Sequence, residues 1–172
     1  LEILVGDTLY FSADDGSAGH ELWAHDTSNH STWQVTDISS GSGDGNPGRY
    51  MQILVGDTIY FSATDGSTGD ELWAHNTSNG TTWRVVDINS GASGSEPGMH
   101  MNLLVGDTIY FDAAAAGSTE LWAHDISNQS TWRVVDIYTG SIGSNPGDNM
   151  AVVVGDTLYF DANDGLAGDC LL

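Results

Sequence analysis

A seven-residue phrase, Val-Gly-Asp-Thr-(Leu/Ile)-Tyr-Phe, starts at Val5, Val55, Val105 and Val154, at intervals of 50, 50 and 49 residues. A period near fifty means a unit that cannot bury its apolar face alone and must stack beside copies of itself. Other elements keep the same beat. Glu-Leu-Trp-Ala-His begins at Glu21, Glu71 and Glu120, which sets Trp23, Trp73 and Trp122 at one repeat position. A second tryptophan recurs as Trp33, Trp83 and Trp132, and Asp-Ile as Asp37, Asp87 and Asp136. The one-residue shortening falls in the run Ala113 to Gly117. Three copies are complete (1–51, 52–101 and 102–150), and a partial fourth occupies 151–172. The whole chain reads as a single repeat domain.

Each copy predicts four strands. In the second, strand A is Gln52 to Val55, and Gly56-Asp57 suits a two-residue hairpin whose first position needs positive φ. Strand B is Thr58 to Ala63, strand C is Glu71 to His75, and strand D runs from Thr82 to Ile88. A Gly/Ser stretch ending in Pro97-Gly98 leads to the next strand A. No window carries a 3.6-residue period, so no helix is expected. Four antiparallel strands per unit, with short A–B–C–D links and one longer D–A link, predict an all-β, β-propeller-like fold of about 3.5 blades. The alternative is a β-trefoil, in which a fourth partial copy has no place. The fragment is expected to add only strands A and B, making 14 strands per chain.

The 172 residues carry 24 Asp+Glu against 3 Lys+Arg, a net charge of −21. Three arginines cannot neutralise a phosphate track, which excludes nucleic acid as a partner held through its backbone. The same charge disfavours an anionic membrane surface, and no apolar run is long enough for a spanning helix. The 22 glycines and a charged fraction of 16% give a surface of Gly, Ser, Thr, Asn and Asp, the chemistry of turns between short strands. Six Trp, six Tyr and four Phe supply core volume. High salt or bound divalent cations would relieve the self-repulsion of so acidic a chain. The single cysteine, Cys170, cannot form an internal disulfide.

The phrase Glu71-Leu72-Trp73-Ala74-His75-Asn76-Thr77, followed by Thr82 and Val86-Asp87-Ile88, resembles the ELWxxDGT repeat family of bacteria and archaea. The resemblance implies secreted or surface proteins with propeller-type repeats, and hence an extracellular or cell-surface location. Two departures stand out. The Asp-Gly-Thr expected after the tryptophan is Asp26-Thr27-Ser28, Asn76-Thr77-Ser78 and Asp125-Ile126-Ser127, and the fourth copy ends Cys170-Leu171-Leu172 where Glu-Leu-Trp is expected.

An incomplete ring exposes apolar strand faces at its ends. Twice 14 strands equals seven four-stranded blades, so a homodimer closing the ring is expected. The competing expectation is a piece of a longer array.

Most candidate sites have a framework reading. His25, His75 and His124 share one repeat position and suit hydrogen-bonded structural roles. Glu21, Glu71 and Glu120 suit partners for backbone N–H groups or for the strand D arginines, Arg84 and Arg133. Core packing is expected for all six tryptophans. The B–C turns and D–A links should share one face, and there Asp14, Asp15, Asp65 and Asp164, with Gly-rich carbonyls, form a candidate oxygen-rich calcium site. Arg49, Tyr50 and His100 vary from copy to copy and belong to a rim rather than the frame. No unique catalytic cluster is visible. The sequence therefore favours a non-enzymatic binding, adhesion or structural module with a glycan or surface ligand. The alternatives are a glycan-active propeller hydrolase and a calcium-stabilised, lectin-like module.

Overall fold

The computed structural model describes residues 1–172 except 141 and 167. Fifteen strands and no helix occur among the described residues. The chain divides into two compact units, Leu1–Gly94 and Ser95–Leu172.

The first unit holds two four-stranded sheets. One is β1 (Glu2–Val5), β2 (Thr8–Asp14), β3 (His20–Asp26) and β4 (Ser31–Thr36); the other is β5 (Gln52–Val55), β6 (Thr58–Thr64), β7 (Asp70–Asn76) and β8 (Thr81–Val86). Strand order follows chain order in both, and every pairing is antiparallel. The second unit holds a four-stranded sheet of β9 (Asn102–Val105), β10 (Thr108–Ala115), β11 (Ser118–Asp125) and β12 (Ser130–Val135). Beside it lies a three-stranded sheet of β13 (Ala151–Val154), β14 (Thr157–Asn163) and β15 (Asp169–Leu171). Separate meandering sheets, each built from one repeat, are propeller blades and not the shared barrel of a trefoil.

Two expectations change. The fourth copy forms three strands, so the chain has 15 and not 14: Cys170 pairs with Ala162 and Leu171 with Asp161 although the Glu-Leu-Trp signature is gone. Backbone pairing needs no particular side chain, so the strand survives its motif. Two chains would then hold 30 strands, and the seven-blade arithmetic fails. Strand D also stops at Val86, before Asp87-Ile88, because the Ile88 amide turns to donate to Glu71 at 2.9 Å.

The A–B hairpins form as their sequence dictates. Gly6, Gly56, Gly106 and Gly155 have φ of 58°, 58°, 58° and 61°, and the following aspartates keep negative φ. That is the II′ geometry whose twist matches the strands it joins. Between the sheets lie apolar layers. In the first unit Tyr10, Leu22 and Ala24 meet Ile59, Phe61 and Ala63; in the second Met101 and Leu121 meet Phe160 and Ala162.

The links are anchored by buried carboxylates. Glu21 is fully buried and accepts from the amides of Ile38 (2.7 Å), Ser39 (3.2 Å) and Gly45 (2.9 Å). A Cβ on Gly45 would stand 2.6 Å from Glu21 Oε2, so this link approaches the carboxylate only because the residue is glycine. Glu120 is likewise fully buried and accepts from Ile137 and from the Ser144 amide and hydroxyl. Glu71 takes the Ile88 and Asn89 amides. Each carboxylate ties the long D–A link to strand C of its own blade.

Candidate functional site

The repeat is interrupted at one buried position on strand B. In the second sheet Ser62 is fully buried, and its hydroxyl oxygen accepts from the amides of Tyr50 (2.8 Å) and Met51 (3.3 Å), where the link enters β5. The third and fourth sheets carry Asp112 and Asp161 in its place. Asp112 Oδ1 accepts from the amides of His100 and Met101, both at 2.9 Å, repeating the serine contacts. Its second oxygen, which serine lacks, reaches the His100 ring at Nδ1, 2.8 Å away. Asp161 does the same, holding the Asn149 and Met150 amides and the Asn149 side-chain amide at 2.7 Å.

This substitution converts a backbone clip into a device that aims a side chain. His100 is fixed from behind by the buried Asp112, and its Nε2 lies 3.5 Å from Asp148 Oδ1. The imidazole, Asp148, Asn149 and Asn102 line an open cavity of about 420 Å³ beside the innermost strands of the second unit. Burial raises the Asp112 carboxyl above its ordinary value, against the opposing pull of the Met101 and His100 hydrogen bonds. Carboxylate, imidazole and amide groups directed into one open polar pocket suit a ligand rich in hydroxyls or bearing a positive charge. Sequence reading placed His100 on a rim but missed Asp112, Asn149 and Asp161. The signal was present as the change from Phe61-Ser62-Ala63 to Phe111-Asp112-Ala113.

The four aspartates expected to bind calcium do not converge. Asp14 Oδ1 accepts from the Gly16 amide, and Asp15 Oδ1 from the Ser17 amide and hydroxyl and the Ala18 amide. Asp65 Oδ1 holds the same set from Ser67 and Thr68, and Asp164 Oδ1 accepts from Leu166. Each carboxylate closes its own B–C turn, and among the described residues no three His, Cys, Asp or Glu side chains form a metal-holding group. Burial works to raise the Asp65 carboxyl, but the Ser67 and Thr68 hydrogen bonds outweigh it and hold it at about 2.

Of the two partners expected for the strand C glutamates, backbone N–H groups take them and the strand D arginines do not. Arg84 Nη1 donates to Thr68 at 2.8 Å and meets Asp65 at 3.3 Å, while Arg133 meets Asp136 at 3.4 Å. The glutamates point inward to the link amides, out of reach of a half-exposed guanidinium. The histidines share a single arrangement, with Nδ1 of His25, His75 and His124 against Thr32, Thr82 and Thr131 at 2.7, 2.8 and 2.9 Å. Core packing does not hold for all six tryptophans: Trp23, Trp73, Trp83 and Trp122 are half-buried, and Trp33 and Trp132 are exposed.

No protein-family model matches the chain, and no curated protein matches it in sequence. Solved structures do resemble it. TolB from Acinetobacter baumannii is 16% identical over 96% of this chain and 40% of its own, with a TM-score of 0.50. BamB from Moraxella catarrhalis is 15% identical over 97% and 45%, with a TM-score of 0.50. A puromycin hydrolase is 11% identical over 94% and 24%, with a TM-score of 0.53. The likeness shows the fold: this is a chain of β-propeller blades. It spans less than half the length of each of these structures.

Proposed function

We propose that the chain is a non-enzymatic binding or adhesion module of the cell exterior, of the ELWxxDGT repeat kind, whose propeller is completed by a second chain. The observation that carries the binding role is the His100 pocket. The repeated carboxylates and histidines are occupied with links, turns and cross-strand threonines, whereas His100, Asp148 and Asn149 depart from the repeat and face an open polar cavity. Amides, a carboxylate and an imidazole recognise hydroxyls by geometry, which suits a glycan. The acidic, Gly- and Ser-rich surface and the motif resemblance support the extracellular setting.

A glycan array probed with the intact chain, run beside a broad glycosidase screen, tests the reading. It predicts retention of a defined glycan class, no turnover, and loss of retention in His100→Ala. Hydrolysis in the screen, or an array left unchanged by His100→Ala, would replace it with the hydrolase or purely structural alternative.

A further inference from the structure

The first unit shows one blade interface fully assembled. One face of the first sheet, with Ile3, Val5, Tyr10 and Leu22, packs on the face of the second sheet that carries Ile59, Phe61, Ala63 and Trp73. Across the same interface the rings of Tyr10 and His75 lie 5.3 Å apart. The second unit repeats the arrangement, with Leu103, Tyr110 and Leu121 against Leu158, Phe160 and Ala162. Within each unit, then, the tyrosine face of the leading blade covers one face of the following blade, the face that carries His75 in the first unit.

Two equivalent faces, one on the fourth sheet and one on the first, are exposed. On the fourth sheet the tyrosine face consists of Val152, Val154, Tyr159 and Leu171. Tyr159 is 40% and Leu171 63% exposed, where the equivalent Tyr10 and Leu22 are 7% and 0% exposed. On the first sheet the histidine face consists of Leu4, Leu9, Phe11 and His25. Leu4 is 60% exposed and the other three are half-exposed, where Ile59, Phe61 and His75 of the second sheet are buried. At these strand A and B positions, and at Leu171, the two open faces carry apolar residues equivalent to those paired in the first unit, although the fourth sheet has no fourth strand.

We propose that a second copy of this chain docks head-to-tail, the Tyr159 face of one copy against the His25 face of the other. The inference rests on the reading that a second chain completes the propeller, and adds which surface meets which. Continuity with the existing interface argues for it: the repeat supplies the complement of each open face on every copy. A head-to-tail contact is heterologous, so two copies use both faces if the pair closes, and an open chain of copies forms if it does not. The charge of −21 on each copy opposes association, and added salt should strengthen it by screening.

Sedimentation velocity on the unmodified chain, on Leu4→Asp and on Val154→Asp tests the proposal. Both positions are exposed, so each variant should keep its β circular dichroism. The unmodified chain is expected to run as a dimer. Each variant alone should associate roughly a hundredfold more weakly, because docking would desolvate an unpaired carboxylate. An equimolar mixture should recover association, since it restores one intact pairing of faces. A dimeric unmodified chain whose variants also dimerise normally, or do not rescue each other, overturns the head-to-tail mode and leaves the second-chain reading standing. A folded, monomeric unmodified chain overturns both. Open-ended growth supports the head-to-tail contact and removes ring closure.

Discussion

Tyr10 and Tyr159 sit in the same phrase of the repeat, on the same strand and in the same register: Tyr10 opposite Ile3, Tyr159 opposite Val152. Tyr10 is covered by the second sheet, and burial pushes its hydroxyl above the ordinary phenol value. Tyr159 is exposed. Their own sheets differ as well: Tyr10 also pairs with Ala24 on β3, whereas β15 pairs with β14 only from Asp161 to Asn163 and no fourth strand follows it. The difference shows that an apolar residue of a repeat protein gains its burial from the neighbouring unit, and that a motif defines a face without defining what covers it.

Mutations should separate the two environments. The largest effect is expected at Glu21. Glu21→Ala leaves the buried Ile38 and Ser39 amides unpaired, while the Gly45 amide keeps the His20 carbonyl, and should cost about 3 kcal/mol or more, as removal of a buried charged partner does. At the corresponding Cys170, Cys170→Ala should be nearly neutral. Thermal and urea melts of the two variants measure the contrast.

Leu22→Ala follows, with an expected loss of about 2–4 kcal/mol from cavity formation, against less than about 0.5 kcal/mol for Leu171→Ala under conditions where the chain is monomeric. Equal losses would break the comparison, because Leu22 is flanked by β4 and covered by the second sheet, whereas Leu171 lies on an open edge strand and is exposed.

The pH dependence gives smaller effects. Burial lowers the pKa of His75 below 6.5, so the unfolded chain binds the proton more readily. Its contribution to stability is full above pH 6.5 and declines as pH falls below that value. Melts of the unmodified chain and of His75→Gln between pH 7 and 5 measure it. Asp65, with its carboxyl at about 2 against an ordinary 3.8, adds stability that is present above pH 3.8 and disappears as pH falls toward 2. In Asp65→Ala that acid limb should flatten, with a loss at neutral pH of about 1 kcal/mol.

Much of the fold was legible because the repeat is loud. The hairpin glycines, the strand alternation and the D–A links follow from residues that recur in register. The third strand of the fourth sheet was not legible. Cys170-Leu171-Leu172 has lost the signature, while the backbone hydrogen bonds that pair it with β14 leave no mark in sequence. The His100 pocket was half legible. His100 stood out by varying, whereas Asp112 looked like one polar residue replacing another on a strand. Only its depth, and the second oxygen reaching the imidazole, give that replacement its meaning. The candidate calcium aspartates illustrate a related point. Aspartates counted along a sequence look like spare ligands, but Asp15 and Asp65 spend their oxygens on turn amides two and three residues ahead.

Hydrogen exchange offers the most direct measurement of the central claim, that identical repeat positions are protected only by a neighbouring blade. Peptides covering β2 and β14 should be followed in the unmodified chain at high concentration and in Val154→Asp. The account predicts that β2 is equally protected in both, while β14 is protected in the unmodified chain and exchanges much faster in the variant. Equal exchange of β14 in the two proteins would contradict it.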